Sequence, residues 1–321
     1  LRESSSKELS ERLAADYKSI REKRLAKTSP RVALQKARMN SFEIDYKSSP
    51  PLKPSRFGVW EVDDVGLEQL VSTIDWAPFF MAWGMAGASD TDEAAKLKGD
   101  ALAMIGSGGF DLKGVYGCFK AWGVGEDVEF VASNGDLRKF YSLRQQAERR
   151  SNPNYALGDF VASKESGLKD SIGMFTVTVI PRESPEDDYY KILTQSVADR
   201  LAEALAEWVH LKMSTVLWSV EGELAGIRPA PGYPACPDHT GKRVIFDALD
   251  VSSRIGVTLT ENMAMLPTAS VSGVIFPHPE SKYFGVGKVA EDQVQDYADR
   301  SGVSKNVAER WLSAVLSYEV E

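Results

Sequence analysis

The segment Arg228-Pro-Ala-Pro-Gly-Tyr-Pro-Ala-Cys-Pro-Asp-His-Thr240 has the most unusual chemistry in the chain. Four prolines fix φ and delete backbone donors, so the loop is stiff and its carbonyls are left to accept hydrogen bonds from something else. Gly232 supplies the one flexible joint. A rigid, acceptor-rich loop that begins with an arginine suits a ligand combining a carboxylate with an amine-bearing ring, and it equally suits a structural corner. Cys236 and His239 stand at C-x-x-H spacing, and His210 and His278 are the other histidines. A zinc site needs a companion pair that is missing here, and nothing nearby marks Cys236 as a thiolate nucleophile. Gly106-Ser-Gly-Gly109 lacks the spacing of a dinucleotide-binding turn and ends a helix instead. These residues point to no metal site and no cysteine nucleophile, and leave a ligand-binding loop and a structural corner equally open.

Several elements must position that loop. Apolar residues at helical spacing predict an amphipathic helix over Ser6–Ala26, with Leu9, Leu13, Tyr17 and Ile20 on one stripe. The proline-rich stretch Ser48 to Pro54 is an extended crossing that no helix tolerates. Helices are expected over Val65–Trp76 and Asp92–Ile105, and a long one over Asp188–Met213 with Leu193, Val197, Leu201, Leu205 and Trp208 inward. Asp199, Glu203, Glu207 and His210 fall together on its polar face. Gly114–Trp122 and Val128–Ala132 flank a Gly/Glu/Asp turn and predict an antiparallel hairpin, and Met174–Ile180 is a further strand. Val271–Phe276 and Tyr283–Val289, split by a polar Pro-containing turn, predict another antiparallel pair. Two helices close the chain, Glu291–Arg300 and one N-capped by Ser304 that runs to Tyr318. Strands in hairpins rather than βαβ units predict an α+β fold: a single large domain with a central twisted antiparallel sheet flanked by helices.

With 321 residues and 43% apolar content, the chain can bury a substantial core. No apolar run approaches the ~18–20 residues that span a bilayer, and the charged N-terminus has no signal-peptide core, so a cytoplasmic location and no membrane contact are expected. Two widely separated cysteines imply no disulfide framework. The net charge of −8 argues against nucleic acid as a partner. The balance is uneven, because Lys18 to Arg38 holds eight basic residues and one acid. That strip reads either as a solvated helix face or as a docking strip for an acidic partner. A first residue of Leu1 rather than Met suggests a piece cut from a longer polypeptide or a processed product.

Six motifs carry a resemblance. RPAPGYPACPDHT, with IDWAPFF (Ile74–Phe80), LRQQAE (Leu143–Glu148), ADRLAEALAEWVH (Ala198–His210), LTENMAM (Leu259–Met265) and SKYF (Ser281–Phe284), resembles the activation domain of cobalamin-dependent methionine synthases over nearly the whole chain, in order. The resemblance implies a methyltransferase component that binds S-adenosylmethionine and supports reductive methylation of inactive cobalamin during methionine biosynthesis. On its own such a domain would not synthesise methionine. The cobalamin would be held by a neighbouring module of the same polypeptide, and the electron would come from a flavodoxin-like donor. Residues 1–40 would be a helical connector and basic arm, and 41–321 the ligand-binding domain.

By the same resemblance Arg228 would hold the ligand carboxylate and Asp75 its ammonium, although Asp75 could merely cap a helix. Tyr283 and Phe284 would line the site, and Ala230, Gly232, Tyr233 and Ala235 would touch adenosine through the loop backbone. Asp199 and Glu203 are candidate contacts for the cobalamin module. The stretch from Ser219 to Ile227 is shorter than the acidic insertion found in many such domains, with Glu221 and Glu223 the nearest substitutes. A stand-alone ligand sensor without transfer chemistry is the alternative.

Overall fold

The computed structural model describes residues 31–63, 65–87 and 89–320. Its centre is an antiparallel sheet in which β2 (Phe110–Val124) and β5 (Asp170–Pro181) pair along most of their length. Outward from β2 lie β3 (Asp127–Val131) and β4 (Leu137–Phe140), and β1 (Gly58–Glu61) pairs with β2 as well. On the other side β5 pairs with β8 (Ser270–Ile275); the two-residue strands β6 (Thr258–Leu259) and β7 (Met265–Leu266) form a separate ribbon. Side chains alternate across a strand, and both faces of this sheet are covered, so β5 is buried from Asp170 to Val179.

The two faces carry separate cores. Tyr116, Cys118, Phe175, Val177 and Val179 face one layer, built on the long helix α5 (Asp188–Val216) with α4 (Asp92–Gly106) beside it. Val115, Phe119, Ile172 and Met174 face the other, which contains α6 (Gly241–Leu249) and α7 (Val251–Ile255). A third cluster joins the closing helices α8 (Glu291–Ser301) and α9 (Lys305–Leu312) to Leu143, Val286 and Val289. The α+β expectation holds. The hairpin of β2 and β3, the strand at Met174, and the helices beginning at Asp92, Asp188 and Glu291 all form. Ser304 caps α9 by accepting the Val307 N–H.

Three expectations are corrected. Val65–Trp76 is not one helix: α2 (Leu67–Val71) stops, and α3 (Ala77–Ala82) starts afresh with Pro78 in its first turn, where a missing N–H costs nothing. Tyr283–Val289 is no strand, because the free edge of β8 is already taken. Ile227 exchanges both backbone hydrogen bonds with Phe276 (3.0 and 2.9 Å), and the Val274 N–H donates to the Pro229 carbonyl at 3.0 Å. His210 is buried rather than on a polar face, since its ring nitrogen Nε2 meets the Ala225 carbonyl at 2.8 Å.

The Ser6–Ala26 helix and the basic residues up to Lys27 lie outside the described residues. Of the rest of the basic strip, Arg38 turns inward to Glu126 and Asp296, both at 2.8 Å, and the Arg31 Nε donates to the Lys288 carbonyl at 3.3 Å. With α1 (Leu34–Met39) burying Leu34 and Ala37, residues 31–40 pack into the body of the domain.

Candidate functional site

A cavity of about 510 Å³ opens where the arginine–proline loop, β8 and α5 meet. Phe175 and Val271 form its floor from the sheet, Glu203 projects from α5, and Arg228, Pro229, Ala230, Tyr233, Pro234 and Ala235 come from the loop. Tyr283, Phe284 and Gly285 complete the wall. Volume and chemistry match a small-molecule site, mostly apolar with a few convergent polar groups.

The approach to Arg228 is fixed from α5. The Ala225 N–H donates to Ser214 Oγ at 2.8 Å and its carbonyl meets His210, so both backbone groups of Ala225 are tied to one helix. Burial pushes His210 down to about 4, with the nearby Arg228 charge acting the same way. The ring is therefore neutral near pH 7 and can donate from Nε2 to that carbonyl. Gly226 follows at φ +63°, and a Cβ there would lie 1.9 Å from the Phe276 oxygen. Only glycine lets the chain run this close to the sheet edge. Arg228 then emerges with its N–H donating to the Tyr283 hydroxyl at 2.9 Å and its guanidinium 3.4 Å from Glu207.

Beyond Arg228 the loop closes on itself. The N–H groups of Gly232, Tyr233 and Cys236 donate to the carbonyls of Cys236, Ala230 and Tyr233 respectively, at 2.7–3.1 Å. The Pro234 carbonyl accepts from the Val286 N–H at 2.8 Å. The expectation that these carbonyls are left for outside donors is thus corrected: the loop is rigid partly because it uses them internally. Gly232 does not line the cavity. It turns at φ +99° against His239, where a Cβ would fall 2.2 Å from the ring. That ring is held in turn by Lys242, whose ammonium donates to His239 Nδ1 at 3.0 Å and to the Met263 carbonyl at 2.8 Å. Burial pushes the Cys236 thiol well above its usual range, so the loop carries no thiolate.

Of the residues singled out from sequence, Arg228, Ala230, Tyr233, Ala235, Tyr283 and Phe284 converge on the cavity, and Glu203 joins them. Asp75 does not line it; its Oδ1 accepts the Ala77 N–H at 3.0 Å, just ahead of Trp76, the N-cap residue of α3. Asp199, one turn before Glu203 on α5, accepts from Gln195 Nε2 at 2.8 Å. Glu221 and Glu223 are exposed and away from the lining, so the acidic groups at the site are Glu203 and Glu207. Sequence reasoning missed Phe175, Val271 and Gly285. Phe175 and Val271 read as core strand residues, and Gly285 as an ordinary loop glycine. Among the described residues no group of three His, Cys, Asp or Glu side chains is placed to hold a metal ion. No helix among them is long and apolar enough to cross a membrane.

Fold and site together define an α+β domain with a cavity of small-molecule size at the edge of an antiparallel sheet, where one arginine fork and two carboxylates are set among aromatic and proline surfaces. The family model for the activation domain of vitamin B12-dependent methionine synthase matches residues 66–302, and the chain belongs to that family. A crystal structure of the MetH reactivation domain bound to AdoHcy is 41% identical, with a TM-score of 0.84; the match covers 91% of this chain and all of that one. The resemblance drawn from the six sequence motifs is therefore correct.

Proposed function

We propose that this chain binds S-adenosylmethionine in the cavity between the Arg228–Cys236 loop, α5 and Tyr283–Gly285, and serves the reductive reactivation of methionine synthase in the cytoplasm. One observation carries the reading: six residues assigned to a ligand site from sequence motifs alone meet around one cavity of suitable size. The related reactivation domain bound to AdoHcy, the demethylated form of the same ligand, supports it.

The ligand's three charges set the requirements. Its carboxylate pairs with the planar, always-charged Arg228 guanidinium, which can offer two parallel donors. Glu203 and Glu207 place negative charge near its cationic groups, and Asp75 is assigned the ammonium by resemblance. Tyr233, Tyr283 and Phe284 offer flat apolar surface to the adenosine. Methyl transfer from a sulfonium moves no proton, so the chain has to hold the donor in line and keep it there; such positioning contributes up to ~7–11 kcal/mol in well-oriented reactions. Cobalamin, held by a neighbouring module of the same polypeptide, supplies the methyl-accepting metal, and a flavodoxin-like donor supplies the electron. Asp199, with the exposed edge of Glu203, faces that module. Calorimetric titration of this chain with S-adenosylmethionine and AdoHcy tests the reading. Saturable binding of both is expected, and no binding of either overturns it.

A further inference from the structure

We infer that Gln145 is a positioning residue for this cavity, a role that rests on the ligand reading above. Gln145 lies in the LRQQAE motif, 3% exposed and outside the cavity lining. Its Nε2 donates to the Gly285 carbonyl at 2.7 Å, and its Oε1 accepts the Tyr155 N–H at 3.2 Å. Its own backbone is fixed to the same stretch, with its N–H on the Tyr155 carbonyl at 2.9 Å and its carbonyl on Asn154 Nδ2 at 2.8 Å. One buried amide thus ties together the two backbone stretches that flank the Phe284 ring, whose centroid lies 5.8 Å from that of Tyr155. Phe284 and Gly285 are cavity wall, and Tyr283 in the same segment receives the Arg228 N–H. The amide anchors the 283–285 wall segment, which in turn meets the Arg228 N–H through the Tyr283 hydroxyl.

The chemistry requires glutamine in particular. An amide presents a donor and an acceptor together, an ionised glutamate presents acceptors only, and methionine of similar length presents neither partner. A carboxylate here would turn negative charge toward the Gly285 carbonyl. Losing the bond releases the 283–285 segment, so the cost should appear in ligand affinity beyond any cost in stability.

Gln146 is a matched control. It is equally buried and makes four side-chain hydrogen bonds, to the Val32 carbonyl, Asp292, the Ala290 N–H and Gln293, none of which lines the cavity. AdoHcy affinity should be measured by calorimetry on this chain, well below the melting transition of every variant. Gln145→Met and Gln145→Glu should each lose about tenfold in affinity, whereas Gln146→Met should stay within about threefold despite an equal or larger fall in Tm. Should Gln145→Met not fold, Gln145→Glu, which keeps the bond from Tyr155, carries the comparison. Affinity within about threefold of the parent for the Gln145 variants, or an equal loss in Gln146→Met, overturns the positioning role. Absence of AdoHcy binding by the parent overturns the ligand reading instead.

Discussion

Replacing Arg228 with alanine should weaken S-adenosylmethionine binding sharply while leaving the fold in place. The arginine side chain is only 20% exposed, so its charge pairing is poorly screened by water. Its present neighbour, Glu207, stands at 3.4 Å, longer than the ~2.7–2.9 Å of a strong charge-assisted bond, and leaves the fork available to a carboxylate. Truncating one partner of a buried, hydrogen-bonded charge pair costs ~2–5 kcal/mol, which is roughly thirtyfold to a few thousandfold in affinity. Partial exposure puts the expectation in the lower part of that range, roughly thirtyfold to a few hundredfold. Folding should survive, because the loop is held by backbone contacts that alanine retains: Arg228 N–H to Tyr283, Ile227 to Phe276, and Val274 N–H to the Pro229 carbonyl. Arg228→Lys, which keeps charge but loses the planar fork, should fall between alanine and the parent. Calorimetry with S-adenosylmethionine, accompanied by circular-dichroism melting, reads both quantities. Parent-like affinity in Arg228→Ala would remove the carboxylate clamp and turn the proline-rich loop back into a structural corner.

Asp75→Asn keeps a side-chain oxygen able to accept the Ala77 N–H but removes the charge, so it separates that local bond from the proposed contact with the ligand ammonium. A loss of a few fold in ligand affinity at parent-like Tm is expected, and unchanged affinity would leave Asp75 with its local bond to Ala77 alone. Gly226→Ala should cost about 2–4 kcal/mol in urea unfolding, through its positive φ and the collision with the Phe276 oxygen; parent-like stability would contradict the path drawn for residues 226–229. Burial alone would raise Glu126, but hydrogen bonds from Arg38 and Arg144 outweigh it and hold its carboxyl at about 2 instead of the usual 4.5. A depressed folded-state value contributes stability that is complete above about pH 4.5 and fades as pH falls toward 2. The difference in unfolding free energy between the parent and Glu126→Gln should follow that window, and a difference independent of pH would refute the pairing.

Much of the architecture was legible because it is local. The apolar spacing on Asp188–Val216, the hairpin turn after Val124 and the Ser304 cap depend on neighbours within one or two turns of chain. The break at Asp75 was legible in principle, since Pro78 cannot sit inside a continuing helix, but the apolar run around it hid the signal. The burial of the LRQQAE motif was not legible. Arg144 and Gln146 look like surface residues until Glu126, Asp159 and Asp292 arrive from distant parts of the chain to satisfy them.

By itself, the sequence determined the family, the α+β class and six of the residues around the cavity, because long motifs and helical or strand periods are properties of contiguous residues. The tertiary structure decided which segment takes the last edge of the sheet. Tyr283–Val289 reads as a strand and Ile227–Pro229 as the start of a proline loop, yet Ile227 and Pro229 take the edge, with Gly226 allowing the close approach to the Phe276 carbonyl. That choice leaves Tyr283–Gly285 free to form the facing wall, and it aims Arg228 into the space between. Competition between distant segments for one row of backbone hydrogen bonds has no signature in either segment alone.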